Sequence, residues 1–112
     1  MLTLLLASML TLAFNVQQVK AEETIYIRPD GTVDPSTAPI NRVGNVYTFT
    51  SDIYEPIVVE ADNIVIDGNG YTLQGPGPTG YGFYLSGRSG VTIKNVTVKG
   101  WNFGIELASS SG

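Results

Sequence analysis

An all-β solenoid is the fold class that this sequence predicts, and two observations predict it. The segment GFYLSGRSG, starting at Gly82, returns as GIELASSSG, starting at Gly104. That offset of 22 residues places Phe83 over Ile105 and Leu85 over Leu107. A repeat near this length, built of short alternating strands, marks rungs stacked along one axis. Short aliphatic runs are also punctuated throughout by Gly and Asn. Thirteen glycines in 112 residues suit many tight turns and argue against a helical bundle.

The composition narrows the function classes. The formal charge is −4, whereas nucleic-acid binding needs a concentrated basic face. The chain has no Cys and no His, which excludes a disulfide framework and a thiolate metal site.

Residues 1–21 read as a secretory signal. MLTLLLASMLTLAF is an apolar run that stops at Asn15, short of the ~20 residues that a membrane-spanning helix needs. Val19 and Ala21 supply a small-residue cleavage pattern ahead of Glu22 and Glu23. No Lys or Arg precedes the run, a departure from the usual charged start. The expectation is an exported protein, extracellular, at the cell surface or periplasmic, with no membrane span once the signal is removed.

Residues 22–56 read as an N-terminal cap with entry strands. TIYIRPDG alternates Ile25 and Ile27 against Tyr26 and Arg28, then stops at Pro29-Asp30-Gly31, a strong turn signal. TVDPSTAPINRVGN reads as a loop with at most a short edge strand at Ile40. NVYTFTSDIY resumes alternation, with Tyr47 and Phe49 on one side. Such a cap covers the apolar interior and open edge of a first rung.

Residues 57–112 read as the rungs. IVVE, IVID and YTL, starting at Ile57, Ile64 and Tyr71, form one circuit of three strands. Phe83-Tyr84-Leu85, Val91-Thr92-Ile93 and Val96-Thr97-Val98 form the next, and Gly104-Ile105-Glu106-Leu107 opens a third. Alternation points Phe83, Leu85, Val91, Ile93, Val96, Val98, Ile105 and Leu107 inward. Tyr84, Thr92, Lys94, Thr97, Lys99 and Glu106 point outward. Asn63 or Asn95 is expected to join a side-chain ladder from corner to corner. With about two circuits and no C-terminal cap, the chain reads as a piece of a longer solenoid, prone to self-association through its last rung.

The run NIVIDGNGYTLQG, continued by GFYLSGRSGVTIKNVTVKGWNFGIELASSSG, resembles the right-handed parallel β-helix proteins of the pectin-lyase-like superfamily. It looks most similar to the NosD-like group, which carries domains associated with carbohydrate-binding proteins and sugar hydrolases. The resemblance covers roughly residues 47–112. It implies a right-handed, single-stranded parallel β-helix. It identifies a fold far better than an activity, because function lives in sites grafted on folds.

Three functional readings follow. The name of the NosD-like group implies copper delivery, but copper sites need imidazole, thiolate or thioether ligands. Beyond residue 21 the chain has no His, Cys or Met. A polysaccharide lyase or glycoside hydrolase is the second reading. Hydrolysis needs two placed carboxylates, and the resemblance implies calcium on clustered Asp together with a basic residue on an outward strand. Asp62 and Asp67 are the calcium candidates; the same residues also suit strand ends, where Asp bonds its own backbone. No Lys or Arg sits on the first strand of a circuit, so the segment leans away from an enzyme. The third reading is a surface protein that binds a polysaccharide or glycan. Tyr81, Tyr84, Trp101 and Glu106 are its candidate residues, beside Phe103, since aromatic rings can stack on sugars. Tyr81 and Trp101 equally suit covering corners between rungs. Asn95-Val96-Thr97 is an N-glycosylation sequon, and Asn95 is also an expected corner residue.

Overall fold

A computed structural model describes residues 23–108. The apolar run, the cleavage pattern and the serines after Ala108 lie outside the described residues. Eleven strands are described: β1 (Ile25–Ile27), β2 (Val33–Asp34), β3 (Ile40–Val43), β4 (Val46–Phe49), β5 (Ile57–Val59), β6 (Val65–Asp67), β7 (Thr72–Gln74), β8 (Tyr81–Ser86), β9 (Thr92–Lys94), β10 (Thr97–Lys99) and β11 (Phe103–Ala108).

The strands are short because each is cut by a residue that turns the chain. Asn63, Asn69 and Asn95 have φ of 56°, 53° and 56°, and eight glycines share positive φ. Asn tolerates this region because its short polar side chain bonds locally. From β4 onward each corner sends the next strand to a different sheet. One sheet has the order β11-β8-β5-β1-β2, the second β9-β6-β4-β3 and the third β10-β7. Ile53 extends the third sheet through a parallel bridge to Leu73. Pairing is parallel everywhere except at β1–β2 and β3–β4. The protein is thus an all-β domain of three sheets with largely parallel strands, consistent with a β-solenoid-type architecture.

The register follows the sequence spacings. Ile57 lies beside Phe83, Val65 beside Thr92, Thr72 beside Thr97 and Phe83 beside Ile105. The stack also reaches back before residue 57. Ile25 pairs with Ile57, an offset of 32 residues, and Val46 with Val65, an offset of 19. The offsets therefore follow no fixed period; the corners absorb the differences in length.

Side chains stack in columns inside. Ile25, Ile57, Phe83 and Ile105 form one, and Ile27, Val59, Leu85 and Leu107 another. The first three members of each are buried, but Ile105 and Leu107 are 47% and 55% exposed. This corrects the expectation of burial for these two residues. Each meets a partner on β8, but β11 is the edge of its sheet, so no described strand covers their other side. Ile93, Val96 and Val98 are half-buried against the core for the same reason, since β9 and β10 also end their sheets. Tyr47 and Phe49 are wholly buried, and the Tyr47 hydroxyl donates to the Gly31 carbonyl.

The short edge strand expected at Ile40 is present at the edge of its sheet, but the stretch that follows it is a hairpin rather than a loop. β3 forms a four-residue antiparallel hairpin with β4, and Val43 pairs with Val46 around Gly44-Asn45. Two turn residues between two valines carry that signal in the sequence. The expected asparagine ladder is met only in part: Asn95 Nδ2 crosses to Asp67 Oδ1 one circuit away at 3.1 Å, a carboxylate rather than a second asparagine. Asn45 Nδ2 donates to the Asn63 carbonyl at 3.1 Å, but the position stacked above Asn63 is Gly90, which has no side chain to continue it.

Candidate binding face

The outward face of the five-stranded sheet gathers most of the residues with binding chemistry. Alternation on β1, β5, β8 and β11 sends Tyr26, Val58, Tyr84 and Glu106 outward, and the parallel register sets them in one line. All four are half-buried. Beside this line is a groove of about 410 Å³, lined by Pro29, Val58, Val59, Glu60, Tyr84, Ser86 and Arg88. Val58 and the Tyr84 ring bring apolar surface to its lining, and Glu60, Ser86 and Arg88 bring polar groups.

The charges around this groove are matched. Arg28 Nη2 donates to Asp34 Oδ2 at 2.7 Å, and Nη1 reaches Glu60 Oε1 at 3.4 Å. The hydrogen bond to Asp34, against a smaller opposing effect of burial, raises the Arg28 guanidinium above its ordinary pKa. Arg28 also lies over the Tyr26 ring, 4.1 Å from its centroid. Arg88 Nη1 donates to the Glu60 carbonyl at 2.9 Å and lies 3.3 Å from Asp62 Oδ1. Both guanidinium groups of this face are therefore held by carboxylates.

Of the sequence-derived candidates, Tyr81, Tyr84 and Glu106 lie on this face or its border. The Tyr81 ring sits 5.3 Å from that of Tyr84 and 5.5 Å from that of Phe103. Tyr81 and Phe103 are 39% and 48% exposed, so this aromatic row continues from the groove toward the open edge. Trp101 is elsewhere. Its indole covers the corner between the third and first sheets, half-buried over Gly75 and Gly82, with Nε1 donating to the Leu73 carbonyl at 3.1 Å.

Asp62 and Asp67 stand at opposite ends of β6, and each is bound to local donors. Asp62 Oδ1 accepts from the Ser89 N–H at 3.0 Å. Asp67 Oδ1 accepts from the Asn69 N–H at 2.9 Å and from Asn95 Nδ2 at 3.1 Å. These two bonds hold the Asp67 carboxyl below its ordinary pKa of 3.8. Among the described residues, no group of three His, Cys, Asp or Glu is placed to hold a metal ion. Asn95 is exposed, and its amide is engaged with Asp67 in the floor of a second hollow, of about 530 Å³, at this corner. Among the described residues, no helix is long and apolar enough to cross a membrane.

Tyr26, Arg28, Val58, Glu60 and Arg88 are the residues whose place on this face sequence reasoning missed. The 26-residue offset that sets Ile57 beside Phe83 also sets Val58 beneath Tyr84, so that signal was present. The 32-residue offset to Tyr26 spans the hairpin and resembles no other spacing in the chain. No family model, no curated protein and no solved structure matches this chain.

Proposed function

We propose that this chain is an exported protein of right-handed parallel β-helix type whose outer groove binds a neutral glycan, without catalysis. The observation that carries this reading is the groove of Val58, Tyr84, Glu60, Ser86 and Arg88. An aromatic ring and an apolar side chain suit the non-polar face of a sugar ring, and the polar groups suit its hydroxyls. The charge pattern favours an uncharged polymer. Asp34, Glu60, Asp62 and Glu106 outnumber Arg28 and Arg88 on this face, and both arginines are already paired. A uronate chain would meet net like charge there, and desolvating the paired groups would cost affinity.

The test is binding of the purified protein to immobilised neutral glucans, mannans and galactans alongside polygalacturonate and alginate at low salt. Binding to a neutral polymer, weakened about tenfold or more by Tyr84→Ala with the thermal midpoint retained, is the expected result. Binding to carboxylated polymers alone overturns the charge argument. Binding to none of them overturns the carbohydrate reading altogether.

A further inference from the structure

The corner after β6 carries a chemistry that binding does not use. It reads Asp67-Gly68-Asn69-Gly70, and Asn69 is the one asparagine in the chain followed by glycine. A glycine on the carboxyl side leaves the backbone nitrogen unhindered, so the Asn69 side chain is open to intramolecular attack. Asn69 and Gly70 are both exposed. They are the central residues of a β-turn closed by the Tyr71 N–H on the Gly68 carbonyl at 2.8 Å, with φ of 53° and 86°.

The next rung holds the attacking nitrogen, and the turn itself and the preceding rung hold Asn69. The Gly70 N–H, the attacking nitrogen, donates to the Asn95 carbonyl at 2.9 Å. The Asn69 N–H is held by Asp67 Oδ1 at 2.9 Å, and Asn69 Nδ2 faces the Phe49 carbonyl at 3.4 Å. Attack requires the Gly70 nitrogen to leave its acceptor and the Asn69 side chain to swing toward it, so the turn must first lift away from Asn95.

We propose that Asn69–Gly70 is a covalent modification site of this protein, gated by the stacking of β9 and β10 on β6 and β7. The Gly70 nitrogen forms a bond to Asn69 Cγ as the Cγ–Nδ2 bond breaks. Ammonia leaves with the proton from nitrogen, and a succinimide results. Water then opens the ring at either carbonyl, giving aspartate or isoaspartate at 69. Either product places a second carboxylate beside Asp67, and isoaspartate adds a methylene to the main chain. The modified corner therefore stacks less well than the original, and the change is one-way. The rate in the folded protein is the rate of the open chain multiplied by the fraction of time the corner is open.

The test is incubation of the full-length protein at mildly alkaline pH, with peptide mapping by mass spectrometry at intervals, across a urea series. Modification at Asn69 is expected to be at least about tenfold slower in buffer than in denaturing urea, the fraction corresponding to about 1.4 kcal/mol of opening. It is expected to rise continuously through sub-denaturing urea. Val98→Ala, which loosens β10 on the core, should speed the reaction in buffer and leave it unchanged in denaturing urea. Gly70→Ala should suppress it in denaturing urea, where folding plays no part. Equal rates in buffer and denaturing urea, or a rate flat across sub-denaturing urea, overturn the gating. Modification first at Asn63 or Asn95, or none at Asn69 in urea, overturns the site.

Discussion

Trp101 Nε1 donates to the carbonyl oxygen of Leu73 across 3.1 Å, so a side chain from one circuit satisfies the backbone of the circuit beneath it. The indole lies over Gly75 and Gly82, where any side chain would displace it. Bond and ring contribute separately. Trp101→Phe keeps most of the ring and loses the donor, with an expected cost of about 1 kcal/mol. Trp101→Ala loses both, and about 2–3 kcal/mol is expected for a half-buried ring. Urea midpoints at constant slope measure the two.

The corner joined by Asp67 and Asn95 makes stability depend on acid. The Asp67 carboxylate is favoured in the folded state by the Asn69 N–H and then by the Asn95 amide, so its folded pKa lies below the ordinary 3.8. A depressed carboxylate contributes stability above the unfolded value and loses it as pH falls through the folded one. Asp30 is lowered in the same direction by the Thr32 N–H and hydroxyl. The thermal midpoint is therefore expected to fall as the pH drops below about 4. Asp67→Asn keeps an acceptor for the Asn69 N–H without a titrating group, and should show a shallower fall. Asp30→Asn combined with it should be shallower still. A double variant that falls as steeply as the parent places the acid sensitivity in other groups.

Side-chain periodicity made the stacked part of this fold legible. The alternation around Phe83 and Ile105 gives strand type and face, and matching one apolar alternation to the next gives register, because one slipped residue would turn every apolar side chain outward. Sequence could not show that Ile105 and Leu107 are open, since inward direction and burial are different properties. Burial also requires a layer on the far side. The pairing of β3 with β4 was missed because Pro35 and Pro39 gave most of the stretch the look of a loop with at most a short edge strand at Ile40, although the turn chemistry of Gly44-Asn45 pointed to a hairpin. The binding face was half legible. Tyr84 and Glu106 follow from alternation, but the salt links of Arg28 and Arg88 join positions up to 32 residues apart, and no local pattern announces them.

The column Ile25–Ile57–Phe83–Ile105 turns position along the stack into an energy difference. Phe83 is wholly buried and lies 6.5 Å from the Phe49 ring, tilted by 32°. Phe83→Ala is expected to cost about 3–5 kcal/mol, lost transfer energy plus the cavity left between β5 and β11. Ile105→Ala, one position along the same column, should cost under about 1 kcal/mol, because a side chain 47% exposed on an edge strand leaves no enclosed cavity. Chemical denaturation of the two variants under one buffer measures the difference. Equal losses would mean that β11 is covered in solution.

Glycines at different corners should respond differently to a side chain. A Cβ at Gly75 would run into the Gly100 carbonyl oxygen and lie 2.6 Å from Trp101 Cδ2. The backbone cannot give way there without breaking the bond from the Gly75 N–H to the Lys99 carbonyl, at 2.8 Å. Gly75→Ala should therefore cost about 1–3 kcal/mol through overpacking. Gly44 is different: its φ is 61°, and nothing lies within 4 Å of an added Cβ. What Gly44 requires is tolerance of the left-handed region, which asparagine has, as Asn63 shows at a neighbouring corner with φ of 56°. Gly44→Asn should change stability by no more than a few tenths of a kcal/mol, whereas Gly44→Val should cost about 1 kcal/mol or more. If Gly44→Asn and Gly44→Val are equally harmful, that corner is limited by space rather than by backbone conformation.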